Sequence, residues 1–317
     1  MSNTDKEIQG YLVFKKVRIN YANSISSPIT YGFPAITGFL GAIHALSLKL
    51  QKYDFGTEIS LGGVLIACHE CEPLAYRPNN YSDYTFNQSR NPIKKDGKTA
   101  SIIEEGKCHL TVTLAVEVWA EEDEDGDISL DDEGIKALEQ HCLTLIQQQR
   151  IAGGSVQGLS KYKGVEFLHL EEIAQIKRFT TPAFILMDAQ KDLNELTEQQ
   201  QAKKPETNAL DALLDVCALH HVPVENENDT VEWQVQSAKS GRGWLVPMPI
   251  GYQGISEKFE PGVMQNARNP QYPSQYVEAI YGLGKWVFPH RIEDFKRAFW
   301  RYSHNAEQSL FLTTQTL

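Results

Sequence analysis

No apolar run in this 317-residue chain is long enough to span a bilayer. The opening stretch, Met1 to Gln9, is polar and carries no apolar core of a secretory signal, so a cytoplasmic location and no membrane partner are expected. Cysteine is sparse and odd in number: five residues, at Cys68, Cys71, Cys108, Cys142 and Cys217. In a chain that can build a sizeable core, this usage fits a reducing compartment and excludes a disulfide scaffold. GxSxG, HExxH and P-loop patterns are missing, and Gly282-Leu283-Gly284 lacks the third glycine of a dinucleotide fingerprint. The nine histidines form no catalytic set. His44 sits on a helix read as buried, and His220-His221 fall at a helix end, where imidazolium favours the dipole. No internal repeat or low-complexity tract occurs. The expectation is a protein without catalytic residues, resident metal or cofactor.

What is present centres on Asn20 to Leu50, NYANSISSPITYGFPAITGFLGAIHALSLKL. Its first part, to Phe33, reads as a polar loop of small and hydroxyl residues. From Pro34 it reads as a helix apolar almost all round: Phe39, Ile43, Leu46 and Leu50 on one face, Ile36, Leu40 and Leu48 on another. Pro34 suits the first helical turn. Gly38 and Gly41 would let another backbone come close. A long loop pinned between a strand (Tyr11 to Ile19) and a core helix is a place for function. The free N–H groups at the helix start favour an anion.

Further strands are expected at 58–68, at 108–120 (CHLTVTLAVEVWA, the cleanest alternation), and at 182–187. A helix is expected over 131–150. Between 72 and 107 lies a long irregular stretch with Arg77, Arg90, Lys94, Lys95, Lys98 and Lys107 among Tyr76, Tyr81, Tyr84 and Phe86. Residues 188–221 read as two acidic helices split by Pro205, the second with Leu210, Leu213, Leu214 and Cys217 as its apolar face. Strands follow at 231–237, within 239–253 and at 275–288, and a last helix at 291–302. The order strand, helix, strand, strand, helix, strand before residue 188 suggests an α+β fold with a ferredoxin-like (RRM-like) core, an arrangement many RNA binders use. The expected organisation is a core over 1–187 with the basic loop 72–107, an acidic helical insertion on the outside over 188–222, and the C-terminal part of the core over 223–317.

The net charge of −11 is unevenly spread. Residues 117–133 hold ten acids and no Lys or Arg, and 188–232 hold eleven acids against three lysines. The rest of the chain has 20 acids and 27 bases. A basic surface for phosphate is therefore compatible with the acidic total. Two metal-like spacings fall short. Cys68-His69-Glu70-Cys71 with Cys108-His109 has one CxxC and no second pair. Glu121, Asp123, Asp125, Gly126, Ile128 and Asp132 approach a calcium loop, but a strand precedes it where an EF-hand needs a helix. From Lys239 to His304 there are nine Lys/Arg against five acids. Arg242-Gly243-Trp244 sets a guanidinium beside an indole, and Gln265-Asn266-Ala267-Arg268-Asn269 is an amide-rich loop with one cation. Cations on phosphate, rings under bases and amides on base edges are what grip single-stranded RNA.

Asn20–Ser27 with Pro28, Tyr31-Gly32-Phe33-Pro34, Gly38-Phe39 and Gly41-Ala42-Ile43-His44-Ala45-Leu46 resemble the N-terminal signature of the Cas-five-type subunit of type I-F (Csy) CRISPR surveillance complexes. Gly251-Tyr252, Ala267-Arg268-Asn269, Tyr281-Gly282-Leu283-Gly284-Lys285-Trp286 and Trp300-Arg301-Tyr302 resemble the same family's second half. The resemblance implies a non-catalytic antiviral subunit that holds the 5′ handle of the CRISPR RNA. It implies as partners the large subunit and the backbone subunits, with target DNA in the same complex. Handle contacts are assigned to Asn20, Asn23, Ser26, Tyr31, Arg77, Arg242, Trp244, Gln265, Asn266 and Arg268. Two alternatives stay open. One is a metal-independent endoribonuclease of repeat RNA with His44 or His69 as base. The other is a protein-interaction adaptor docking through 188–221.

Overall fold

In the computed structural model the described residues are 6–120, 130–225 and 231–315, with the side chain of residue 90 excluded. The chain divides into two compact units, Met1–Ile185 with Phe288–Arg301, and Leu186–Val287 with Tyr302–Leu317. Among the described residues no helix is long and apolar enough to cross a membrane.

The first unit is mixed α/β. Its elements are β1 (Glu7–Asn23), β2 (Ile25–Ser27), β3 (Thr30–Tyr31), α1 (Ile36–Leu50), β4 (Ser60–Pro73), β5 (Ala75–Tyr76), β6 (Thr85–Arg90), β7 (Ile102–Glu105), β8 (Lys107–Ala120), α2 (Asp132–Gln147), β9 (Arg150–Ile151), β10 (Gly154–Gly158), β11 (Val165–His169), α3 (Ile176–Thr180) and β12 (Phe184–Asp188). Its sheet runs β12-β4-β8-β1-β10-β9, with β11 also on β1. The ladders are antiparallel. α1 packs on β4 and on α2, and α2 packs on β10 and β11. Asp131 caps α2, its side chain accepting from Gly134 N at 2.7 Å.

Several local expectations are corrected. The stretch after Ile19 is not a free loop. β1 continues to Asn23, paired with β8 and β10, and residues 25–31 close a small hairpin. α1 starts at Ile36 with Ala35 as N-cap, so Pro34 precedes the helix. It is one-sided: Phe39, Ile43, Leu46 and Leu50 are buried, whereas His44 and Leu48 are exposed. Gly38 does meet a backbone, that of Ala152, but Gly41 faces open space. The basic stretch after Glu72 contains a three-stranded sheet, β5-β6-β7. Residues 291–302 are not a helix. They make 3-10 turns at Pro289–Arg291 and Phe295–Ala298 and then a strand, because Phe295, Phe299 and Trp300 are drawn into the core. The calcium-like spacing at 121–128 lies outside the described residues.

β8 is buried on both faces from Val112 to Val118, which explains its near-continuous apolar run. α1 and α2 cover one face, and α3 packs on β1, β8 and Pro289–Arg291. On the other, residues 288–301 close over the sheet: Trp300 exchanges backbone hydrogen bonds with Val64, both at 2.9 Å, and the Phe299 ring lies 5.2 Å from that of Tyr11. Glu117, 1% exposed, sits on this face. It accepts from Gly63 N at 2.9 Å and from Arg301 Nε at 3.1 Å, and Arg301 Nη2 binds its second oxygen. Gly63 has to be glycine here, because a Cβ would stand 2.6 Å from Glu117 Oε2. Burial, and next the Glu117 charge, push the Tyr11 phenol up to about 12.

In the second unit, α4 (Gln190–Gln201) and α5 (Ala209–Cys217) are followed by β13 (His220–Glu225), β14 (Val231–Gln236), β15 (Trp244–Gly254), β16 (Val277–Val287), β17 (Arg301–Asn305) and β18 (Leu310–Thr314). The sheet order is β17-β18-β15-β16, and β13 pairs only with β14. The acidic helices are part of this unit's core, not an appendage: Leu193, Leu196, Leu213 and Val216 pack with Leu245 and Leu283. Leu210 and Leu214, read as core, are exposed; Ala212 and Val216 take their place.

Removing the cation from a buried ion pair leaves an uncompensated charge. Arg301→Met should cost about 3–5 kcal/mol in denaturant unfolding, and Glu117→Leu with Arg301→Met should recover most of that loss. A single Arg301→Met variant as stable as the parent would refute the role given to this pair.

Candidate nucleic-acid interface

The polar residues of the N-terminal hairpin mostly shape it. Asn23 holds Ile25 at both ends, donating from Nδ2 to its carbonyl at 2.9 Å and accepting from its N–H at 3.3 Å. Ser26 Oγ bonds Thr30 Oγ1 at 2.7 Å, and Ser27 Oγ accepts from the N–H groups of Ile29 and Thr30. Asn20 stands opposite Ser155 at the end of the β1–β10 ladder. With Asn23, Ser26, Ser27 and Thr30 bonded within the hairpin, Ile29 and Tyr31 are exposed on it.

Tyr31 links this hairpin to the basic stretch. Its ring meets Phe86 of β6 edge-on at 5.4 Å. Beside it, Arg77 fastens a turn: Nε donates to the Ser82 carbonyl at 2.8 Å, Nη2 donates to that of Asn80, and the guanidinium lies 5.3 Å over the Tyr84 ring. Tyr76, Tyr81 and Tyr84 are exposed around it. The turn of 91–101 carries Lys94, Lys95 and Lys98, all exposed, and of these only Lys98 has an ion-pair partner among the described residues, Asp96 at 3.8 Å. The first unit thus presents exposed tyrosines around Arg77 and, on the turn that follows β6, exposed lysines. Each base stacked on such a ring is worth about 1–3 kcal/mol and is accepted with little regard to sequence.

The second unit treats its five assigned residues differently. Arg242 is only 17% exposed and is held by Glu195 at 2.9 Å and Asp192 at 3.5 Å, while Lys285 reaches Asp192 at 3.4 Å. Arg242 holds the Glu195 carboxyl below the usual carboxylate range. This guanidinium fastens α4 to the turn before β15 and is occupied. Trp244 is exposed, 6.3 Å from Trp286 across the ladder. Gln265, Asn266 and Arg268 are exposed in the 255–276 loop, with Asn266 in the left-handed region at φ 59°. That loop extends the hairpin beyond Gly254, since Phe259 and Ser274 still pair. Eleven residues of β15 separate the two sets, about 33 Å of strand, so Arg242 and Trp244 are not brought to Gln265, Asn266 and Arg268.

The candidate catalytic histidines stand apart. His44 is exposed on α1, and His69 bonds Thr113 Oγ1 at 2.8 Å. Burial, and next Lys16, lower the His69 pKa. All five cysteines are free thiols, and no group of three or more His, Cys, Asp or Glu among the described residues could hold a metal ion. Sequence reasoning missed that Tyr31 packs on Phe86 of the basic stretch. The alternation in Thr85-Phe86-Asn87-Gln88 was the available signal.

A family model described as CRISPR-associated protein (Cas_Csy2) matches residues 12–313. The CRISPR-associated protein Csy2 of Pseudomonas aeruginosa (strain UCBPP-PA14) is 32% identical over 329 aligned residues, covering 98% of this chain and 96% of its own. A match that spans both units and all of the surfaces above leaves one assignment: the chain belongs to the Csy2 family of CRISPR-associated proteins, of the type I-F (Csy) systems.

Proposed function

We propose that this chain is the Cas-five-type subunit of a type I-F surveillance complex, a non-catalytic scaffold that binds the 5′ handle of the CRISPR RNA and pairs with the large subunit. The handle is taken as single-stranded RNA, while the guide reads target DNA by base pairing. The observation that carries the reading is the contact of Tyr31 with Phe86 of β6, in a segment that also exposes Tyr76, Tyr81 and Tyr84 and is followed by a turn with the exposed lysines of 94–98. The fold reading is consistent with it. β4, β8, β1 and then β10 or β11 stand in the order expected of a ferredoxin-like split βαβ, with α1 and α2 as the two crossovers. Backbone subunits of the complex and its target DNA are the remaining partners in this reading.

A filter-binding titration with repeat-derived 5′ handle RNA tests it. Tyr31→Ala with Tyr84→Ala should weaken binding by more than tenfold, and the corresponding Phe variants should restore it, since the ring is what stacks. Lys94, Lys95 and Lys98 changed to Glu should flatten the salt dependence by up to about 2, at about 0.7 per single-strand phosphate contact. Affinity within twofold of the parent in both sets would reject the site. RNA cleaved by the purified protein, with cleavage lost on His69→Ala, would reject the scaffold reading.

Arg242 serves as the internal contrast. Arg242→Ala should lower the melting temperature, because Asp192 and Glu195 lose their common cation, and should leave handle affinity of the folded protein unchanged. A selective loss of RNA affinity at constant melting temperature would return Arg242 to the interface.

A further inference from the structure

The face of the first unit's sheet opposite α1 and α2, on which α3 packs against β1 and β8, is covered over only part of its length. Toward Glu117 it is sealed by residues 288–301, and Thr113 is still fully buried. Beyond Thr113 the face opens. Here three bulges set the side chains. In the β1–β8 ladder, Lys15 and Lys16 oppose Thr113 alone, and Asn20 and Tyr21 oppose His109 alone; in β4, His69 is an extra residue between Cys68 and Glu70. Lys16 and Tyr21 both take left-handed backbone, at φ 50° and 57°. Two non-glycine residues in that region within one strand are costly, and bulges of this kind re-aim side chains.

Two exposed cations stand on this stretch of β1. Lys16 N–H donates to Thr113 Oγ1 at 3.1 Å, which fixes the bulge, and the lysine side chain is exposed. Arg18, opposite Thr111, is exposed on the same face, and neither cation has an ion pair among the described residues. Gly158 stands opposite Arg18, where a Cβ would come 3.0 Å from Arg18 Nη2, so the glycine leaves room for the guanidinium to lie across β10. Tyr21, 59% exposed, donates its N–H to His109 Nδ1 at 3.4 Å, and its ring meets the imidazole edge-on at 5.0 Å. The face also carries acids. Glu70 accepts from Thr111 Oγ1 at 3.0 Å, and Glu72 stands opposite His109, both on β4. A polyanion is thereby turned away from β4 and along β1.

We propose that this open part of the face, built on Lys16, Arg18, Tyr21 and His109, is a second contact for single-stranded RNA, distinct from the tyrosine surface of Tyr31 and Tyr84. It would take phosphates on Lys16 and Arg18 and one base against the Tyr21–His109 pair. The inference rests on the RNA-binding reading of this chain and extends it to a new surface.

Ultraviolet crosslinking of the full chain to handle RNA carrying 4-thiouridine, followed by peptide mapping, separates the two. Crosslinks on the peptide containing Tyr21 or His109, lost on Lys16→Glu with Arg18→Glu while those at Tyr31 and Tyr84 persist, are expected. Lys16→Gln with Arg18→Gln guards against misfolding and should reduce the salt slope by about 1.4. Tyr21→Phe should keep the crosslink and Tyr21→Ala should lose it. Crosslinks confined to residues 24–34 and 75–98 would overturn this proposal and leave the handle-binding function standing. No crosslink and no binding anywhere would overturn both.

Discussion

The Glu117 carboxylate is the constraint on which the first unit turns. A charge this deeply buried is tolerated only because Arg301, from a segment 184 residues away, meets it with two nitrogens and Gly63 adds an N–H. That requirement brings Phe299 and Trp300 onto the sheet and seals part of the face that α1 and α2 leave uncovered. It also fixes where the sheet stays open. The covered part serves stability, and the open part, beyond Thr113, is left free to present Lys16, Arg18 and Tyr21.

Charge is distributed on the same logic. Lys94, Lys95, Lys16 and Arg18 are exposed cations of the first unit without ion pairs among the described residues. In the second unit the cations near α4 are consumed internally by Asp192 and Glu195. An acidic chain can still present local basic patches, because what attracts phosphate is the local charge and not the total. In the hairpin at 25–31 the hydroxyls of Ser26, Ser27 and Thr30 bind one another, and the Tyr31 ring is exposed.

Much of this was legible in residues alone. The alternation of 108–120 marked the central strand, and the Pro205 break marked the two helices. Misreadings came where tertiary contact overrides local pattern. Residues 291–302 have helical spacing but are pulled straight by Trp300 pairing with Val64. The loop after Ile19 is polar in composition yet has its backbone taken up by β8 and β10. Arg242 reads as a free cation until α4 is folded beside it. The bulge at Lys16 shows in sequence as the doubled Lys15-Lys16 that breaks the alternation of Leu12, Phe14, Val17 and Ile19, whereas the one at Tyr21 depends on what the neighbouring strand contributes.

The first unit is interrupted in the chain by residues 186–287, which belong wholly to the second. A ribosome extending the polypeptide at about 5–20 residues per second therefore leaves the sheet unfinished on the order of ten seconds after Ile185 has emerged. Through that interval Glu117 has no counter-ion and the margin of β4 at Val64 has no Trp300. The inserted unit thus acts as a clock on maturation: the older half of the molecule waits on the younger to be made before its last internal charge is answered.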